Sequence, residues 1–487
     1  MASKLPPFSK IGFGTYRTGL EVPGHAAAMR TCLMGGINVI DTSTNFLDGD
    51  AERLITVVMH TMAEEVDALP RPLLRQDVVI VSKAGYIQGK TLHRFQSGEF
   101  RVPESDVITY STDCLHSIHP NFIRDQIAQS LERLGTDYID VYLLHNPEYY
   151  LLKNVTTESP EAQVALHRQR MFERIKSAFE ELEHEAGRGR IRSYGISSNS
   201  FSLKETDPFF LPYEGLLELA AQAAQAAGNM THSFSTVQFP ANILEQEGLK
   251  GCGQWAHDHG LRVLVNRPLN AFTAQGSFRL ASYARPEAYQ RVRDEVIAHF
   301  SSRGDTWAIV NLIRELDQMQ TEFGSTFHYE HALAQNIIPV MKQTIRALFL
   351  QESDTTLLQQ FLDVYKEMVR HHCSMRTEKF VEELGIGYRR PRRAVEENGG
   401  AAAADEVGTG ASRELRPAAV SESDQVPLEE FCLGWLVRQP QVDCVLNGIT
   451  RESYARTALS LLRRVSEAQP PSTSTIPTPV PGTAVST

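Results

Sequence analysis

The sequence predicts an α/β chain, a (β/α)8 TIM barrel with a long helical and disordered insertion between its seventh and eighth strands. Three observations predict it. Eight short apolar, β-branched-rich runs alternate with helical patterns, the signature of repeated βα units around a parallel sheet. Several runs, such as Val78-Val79-Ile80-Val81, are continuously hydrophobic, as strands buried on both faces are. No GxGxxG follows the first run, which argues against an open dinucleotide-binding sheet.

The strand runs are Ile11–Tyr16, Ile37–Asp41, Val78–Lys83, Tyr138–His145, Ile191–Ser197, Thr236–Gln238, Arg262–Asn266 and Val442–Leu446. Helical patterns fall between them at His25–Met34, Ala51–Met62, Pro120–Leu134, Phe172–Ala186, Tyr213–Ala227, Glu245–His259 and Leu428–Arg438. A final helix runs from Arg451 to about Arg464. The period breaks after the seventh strand. Residues 1–272 hold seven βα units, 273–388 a helical insertion, 389–425 a disordered linker, 426–465 the last helix–strand–helix, and 466–487 a disordered tail. In the insertion, Leu357, Leu358, Phe361, Leu362, Tyr365, Met368 and Val369 share one helix face. That face is expected to pack against the barrel, with a protein partner as the alternative. Removing insertion and tail leaves about 310 residues, a normal barrel size.

Composition bounds the function. The chain has 487 residues, 42% hydrophobic and 22% charged, with a formal net charge of −11. An acidic balance disfavours nucleic acid, whose phosphates demand a basic surface. No apolar run reaches the roughly 18–20 residues of a bilayer span, so no membrane partner is expected. Six scattered cysteines without CxxC fit a reducing, cytoplasmic compartment. No secretory or transit segment is expected at the N-terminus.

Catalytic groups in a parallel barrel stand at the C-terminal strand ends. Asp41 ends the second strand, Lys83 the third and His145 the fourth, three titratable types at neighbouring ends. Cys114, His116 and His119, and His371-His372-Cys373, have spacings that metals use, but neither set has a matching fourth ligand or paired motif, and no metal is expected. Arg389-Arg390-Pro391-Arg392-Arg393 reads as a solvated charge cluster.

Six motifs in order resemble the aldo-keto reductase family: Gly36-Ile37-Asn38-Val39-Ile40-Asp41-Thr42-Ser43, Ser82-Lys83, Leu143-Leu144-His145-Asn146-Pro147, Gly195-Ile196-Ser197-Ser198-Asn199, Val237-Gln238 with Asn242, and Arg267-Pro268-Leu269. The resemblance covers about Lys10–Asn270 and Leu428–Leu462. It implies an NAD(P)H-dependent oxidoreductase that reduces a small-molecule aldehyde or ketone. In the family a tyrosine protonates the carbonyl oxygen, a lysine lowers its pKa, an aspartate pairs with the lysine, and a histidine orients the carbonyl. Asp41, Lys83 and His145 match three of these roles. Phe46 stands at the tyrosine position. Three readings follow: His145 donates the proton, Tyr86 (or Tyr149 or Tyr150) replaces the hydroxyl, or reduction is impaired and the barrel is a nucleotide-binding scaffold.

The resemblance also implies the cofactor contacts. Ser197, Ser198 or Asn199, and Gln238 match nicotinamide-amide positions, and Asn266 replaces the stacking aromatic, with Arg267 beside it. Gly448, Thr450 and Arg451 match the phosphate segment entering the last helix. Arg451 or Arg456 near a 2′-phosphate tilts the expectation to NADP over NAD. The family's Glu-Asn adenine pair falls at Thr457 and Ala458.

Overall fold

The computed structural model describes residues 5–64, 73–303, 306–348, 350–390 and 426–468. Eight parallel strands close into a barrel in sequential order. They are β1 (Ile11–Gly14), β2 (Val39–Asp41), β3 (Val79–Ala84), β4 (Ile139–His145), β5 (Ile191–Ser197), β6 (Phe234–Pro240), β7 (Arg262–Asn266) and β8 (Cys444–Gly448). β1 closes the ring by pairing with β8 on one side and β2 on the other.

Side chains alternate across each strand, so one residue parity faces the axis. Val39, Val79, Val81, Val141, Leu143, Leu264, Cys444 and Leu446 fill the axis as one buried cluster, with Leu5 and Phe8 against it. The same parity carried two residues further along each strand puts Asp41, Lys83, His145, Ser197, Gln238 and Asn266 at the C-terminal mouth. The opposite parity, including Ile40, Ile80, Tyr142, Leu144, Ile196 and Val237, packs outward under the helices.

The helix Pro120–Leu134 matches its sequence expectation end to end, with proline at its start and left-handed Gly135 stopping it. The helix Glu161–Gly187 begins eleven residues before the expected Phe172. After β6 the expected start at Glu245 fails. Asn242 Oδ1 accepts from the backbone N–H groups of Leu244 (2.9 Å) and Glu245 (3.0 Å), which turns the chain. Helical structure begins only at Leu249. Sequence reading also missed a three-stranded antiparallel sheet after β3: Tyr86–Gln88, Ile108–Ser111 and Cys114–His116. Its strands, at three to four residues, are too short to register as a period.

Beyond β7 the chain forms a hairpin, Asn270–Thr273 with Gly276–Arg279, and then leaves the barrel. Helices Tyr289–Ser301, Trp307–Met319, Thr326–Ala332, Ile338–Ala347 and Glu352–Glu383 bury a separate core. Leu358, Phe361, Tyr365, Met368 and Val369 lie inside that core, so this apolar face is occupied by the insertion's own helices rather than by the barrel. The far end of the long helix touches the barrel side: Phe380 stacks on Phe278, and Val381 and Tyr388 join the main core. Exit and return meet. Ser282 N donates to Glu429 Oε2 (2.8 Å) and Leu428 N donates to Ser282 Oγ (3.0 Å). The linker expected over 389–425 and the tail over 466–487 lie mostly outside the described residues; the last helix, Glu452–Ala468, continues past residue 465.

Gly195 tests the tightness of the barrel wall. A Cβ there would lie 1.8 Å from the Thr236 carbonyl oxygen, beside a register shift between β5 and β6. Gly195→Ala is expected to lower the unfolding free energy by about 2 kcal/mol or more. Urea denaturation measures this, and an unchanged midpoint would show that the wall yields without cost.

Candidate active site at the barrel mouth

Lys83 is 1% exposed, and its ammonium lies 2.7 Å from Asp41 Oδ1 and 2.8 Å from Oδ2. It also donates to the Thr42 carbonyl oxygen at 2.7 Å. Gln238 Nε2 donates to Asp41 Oδ1 (2.8 Å), while Ser197 Oγ (3.0 Å) and Asn266 Nδ2 (3.2 Å) donate to Gln238 Oε1. One hydrogen-bonded chain therefore joins β2, β3, β5, β6 and β7 across the mouth. Burial pulls the lysine pKa down, and the paired carboxylate pulls it back.

His145 is tied to the same centre through Ser43, whose Oγ lies 3.2 Å from His145 Nδ1 and 3.2 Å from the Lys83 carbonyl oxygen. Burial first, then the charges of Lys83 and His116, hold its pKa well below the ordinary histidine value. Its place beside the ion pair suits orienting a carbonyl.

Phe46 is 9% exposed, with the Lys83 ammonium 5.2 Å from its ring centroid and the His145 ring 6.2 Å away. Its hydrocarbon ring therefore occupies the place beside the lysine. Tyr86 packs on the other side of His145. Its ring meets His145 edge-on at 4.8 Å, but its hydroxyl bonds to Tyr149. Burial, then Tyr149 and Glu148, push its pKa up, opposite to an activated acid. The Tyr149 phenol is likewise raised by burial, and Tyr150 turns away to His167 Nδ1 at 3.2 Å.

Rings instead form a continuous arc. Tyr16 packs on Phe46, Phe46 on His145, His145 on Tyr86, Tyr86 on Tyr149, and Tyr149 on Tyr110, with centroids 4.8–6.2 Å apart. Both ends of the arc are open to solvent, Tyr16 at 66% and Tyr110 at 64%.

Backbone strain gathers here too. The four non-glycine residues with positive φ among the described residues are Leu47, Asp48, Asn146 and Arg267. All follow mouth strands β2, β4 or β7, and such residues cost about 1–3 kcal/mol each. Asp48 Oδ1 accepts from Lys90 N (3.2 Å), and Asn146 N donates to the Ser197 carbonyl (2.7 Å).

Of the remaining expected residues, Ser198 is buried and its Oγ accepts from Ser200 N (3.0 Å), whereas Asn199 is exposed. Arg267 is partly buried, 3.4 Å from Glu245 and over Phe272 at 5.1 Å. Gly448 and Arg451 are exposed and Thr450 half-buried at the entrance to the last helix; the Arg451 guanidinium lies 6.0 Å from the Tyr454 ring. Arg456 is held by Glu452 at 2.8 Å. Sequence reading missed Glu148, which is 2% exposed and accepts from Asn199 N at 2.9 Å. It also missed Ser43 and Asn45, which link His145 toward Gln88. Glu148 directly follows the Asn146-Pro147 pair, which was the available signal. No group of three metal-ligating side chains gathers among the described residues; His116 Nε2 is hydrogen-bonded to the His145 carbonyl oxygen.

The chain matches the aldo/keto reductase family over residues 10–326. It belongs to that family. Relatives within it include the NADH-specific methylglyoxal reductase of Escherichia coli (strain K12), 30% identical over 110 residues, 23% of this chain and 27% of the relative. The uncharacterized oxidoreductase YqkF of Bacillus subtilis (strain 168) is 27% identical over 190 residues, 39% of this chain and 45% of the relative. The chain thus spans about a quarter to under half of these relatives. Among solved structures, the glycerol dehydrogenase AKR11B4 from Gluconobacter oxydans is 14% identical with a TM-score of 0.40, covering 99% of this chain and 96% of that one. An aldo/keto reductase from Klebsiella pneumoniae, in complex with NADP and acetate, is 22% identical with a TM-score of 0.30, covering 61% and 74%.

The buried pair makes a direct prediction. Asp41→Asn strands the Lys83 ammonium and is expected to cost about 3–5 kcal/mol, whereas Asp41→Asn combined with Lys83→Met recovers most of that loss. Equal destabilisation of the single and double variants in urea titrations would mean the pair is not the source of the cost.

Proposed function

We propose that this family member is an NAD(P)H-dependent oxidoreductase that reduces the carbonyl of an aldehyde or ketone at the barrel mouth. The observation that carries the reading is the convergence of Asp41, Lys83 and His145 with the Gln238–Ser197–Asn266 chain at one centre.

The residues present fit a nicotinamide coenzyme. Thr42 Oγ1, Asn266 Oδ1 and Arg267 Nε are buried polar atoms without a hydrogen-bond partner among the described residues. Such atoms are costly unless a ligand satisfies them. Ser197, Ser198, Asn199, Gln238 and Asn266 would hold the carboxamide, and Arg267, Gly448, Thr450 and Arg451 the phosphates. Bound there, the reduced ring supplies hydride. Arg451 has no carboxylate partner among the described residues, unlike Arg456 beside Glu452, so it is free for a 2′-phosphate and favours NADP over NAD.

This chain's own groups then act on the carbonyl. His145 orients the oxygen, the Lys83 ammonium stabilises the negative charge that develops on it, and solvent at the barrel mouth gives the alkoxide the proton that completes the alcohol. The aromatic arc supplies an apolar wall, which suits a hydrophobic carbonyl compound. All six cysteines are buried and unpaired, the thiol state of a reducing compartment, and we place the protein in the cytoplasm. No described helix is long and apolar enough to cross a membrane.

Phe46 favours a second reading, a nucleotide-binding barrel with impaired reduction, because no phenol stands beside Lys83. Fluorescence titration with NADPH and NADH, followed by oxidation assays against aromatic and aliphatic aldehydes and ketones, separates the two. Binding with turnover supports the enzyme, binding without turnover the second reading, and no binding of either coenzyme refutes both. Phe46→Tyr is expected to raise turnover tenfold or more, within the range of general-acid catalysis. An unchanged rate would show that proton supply does not limit the reaction.

A further inference from the structure

Glu148 stands in the turn after β4 and reaches the loop after β5. Its Oε1 accepts from Asn199 N at 2.9 Å, while its buried Oε2 has no hydrogen-bond partner among the described residues, and Ser200 N donates to the neighbouring Ser198 Oγ at 3.0 Å. This loop carries Ser197, Ser198 and Asn199, the residues assigned above to the carboxamide. Its backbone has a second anchor in Ser198 N, which donates to the Gln238 carbonyl oxygen at 2.9 Å. No basic side chain pairs with Glu148 among the described residues. The titratable groups coupled to it are the phenols of Tyr86 and Tyr149, which stay neutral.

We propose that Glu148 is a positioning residue whose carboxylate holds the loop after β5 in the shape that receives the nicotinamide, so that protonating it weakens coenzyme binding. The inference rests on the proposed coenzyme site. Ionised, the carboxylate only accepts, which matches the Asn199 N–H against it. Protonated, it becomes a poorer acceptor and gains an O–H, and the hold on that N–H weakens. Burial pushes the group up to about 7, against the lowering effect of hydrogen bonding. The change therefore falls in the physiological range. The sign is fixed: the loop is fully held above that value and released below it.

The test is coenzyme affinity against pH for the full chain and for Glu148→Gln, which keeps an acceptor oxygen toward Asn199 N but cannot titrate. NADH is the primary probe because it lacks a titrating 2′-phosphate, and NADPH is run beside it. The wild type is expected to bind about fivefold more weakly at about pH 6 than at about pH 8, as one unit of pKa coupling gives. Glu148→Gln is expected to show a flat profile. Parallel profiles in the two proteins would overturn the positioning role while leaving the coenzyme site intact. Absence of binding by the wild type at every pH would overturn the site itself. If Glu148→Gln folds but does not bind, Glu148→Asp decides: a pH-dependent affinity supports the role, and a flat one refutes it.

Discussion

A lysine ammonium sealed inside the mouth of a hydrophobic barrel is the constraint around which the site is built. Removing such a charge from water costs several kcal/mol, and only close pairing makes it tolerable. Asp41 meets it with both oxygens and the Thr42 carbonyl with a third contact. Asp41 must in turn be held, and Gln238 holds it from the opposite side of the ring. Ser197 and Asn266 then fix Gln238. Each polar group at the mouth is thus oriented by the need to satisfy the one before it. A network of this kind is rigid because any gap would strand a buried charge.

This explains which parts were legible in sequence. The strands could be read because inward and outward faces are both apolar, giving runs such as Val78–Val81, and the polar residues that end them are conspicuous. Asp41, Lys83 and His145 come together because strand parity leaves them no other direction. What escaped was built from short or nonperiodic pieces. The strand Cys114–His116 is only three residues long. Glu245 had the setting of a helix start, yet Asn242 turned the chain before it, and the Glu245 carboxylate accepts instead from Asn242 Nδ2 and Phe272 N. Glu148 escaped because its partner is a loop N–H group some fifty residues away, which leaves no pattern.

The tyrosines show how a ring can reach the site while its hydroxyl is directed elsewhere. Tyr86 lies three residues beyond Lys83, and its ring does reach His145. Its strand continues outward, however, and directs the phenol to Tyr149 within an apolar arc. There desolvation opposes ionisation, and among the described residues no cation acts on the phenol to offset it. Proximity of a ring to the site therefore supplies packing and shape, whereas acid chemistry requires the hydroxyl to sit beside the ammonium. That place belongs to Phe46.

The insertion leaves this machinery undisturbed for a geometric reason. Its two ends meet through Ser282, Leu428 and Glu429, so the barrel sees a closed loop however long the excursion. Loop-closure entropy grows only slowly with length, and a body with its own apolar core offsets its own ordering cost. The hairpin before Ser282 is fastened separately. Asn242 Nδ2 and Arg279 Nη1 both reach Asn270, at its carbonyl and side-chain oxygens respectively, and Glu245 accepts from Phe272 N. The same Glu245 lies 3.4 Å from Arg267, whose backbone is left-handed. One carboxylate therefore links the start of the hairpin to a strained residue of the mouth. The insertion's helix Thr326–Ala332 rests on that hairpin, Phe327 packing on Phe272 at 5.2 Å. The added domain thus braces Arg267 from outside, and among the described residues it contributes no group to the ion pair within.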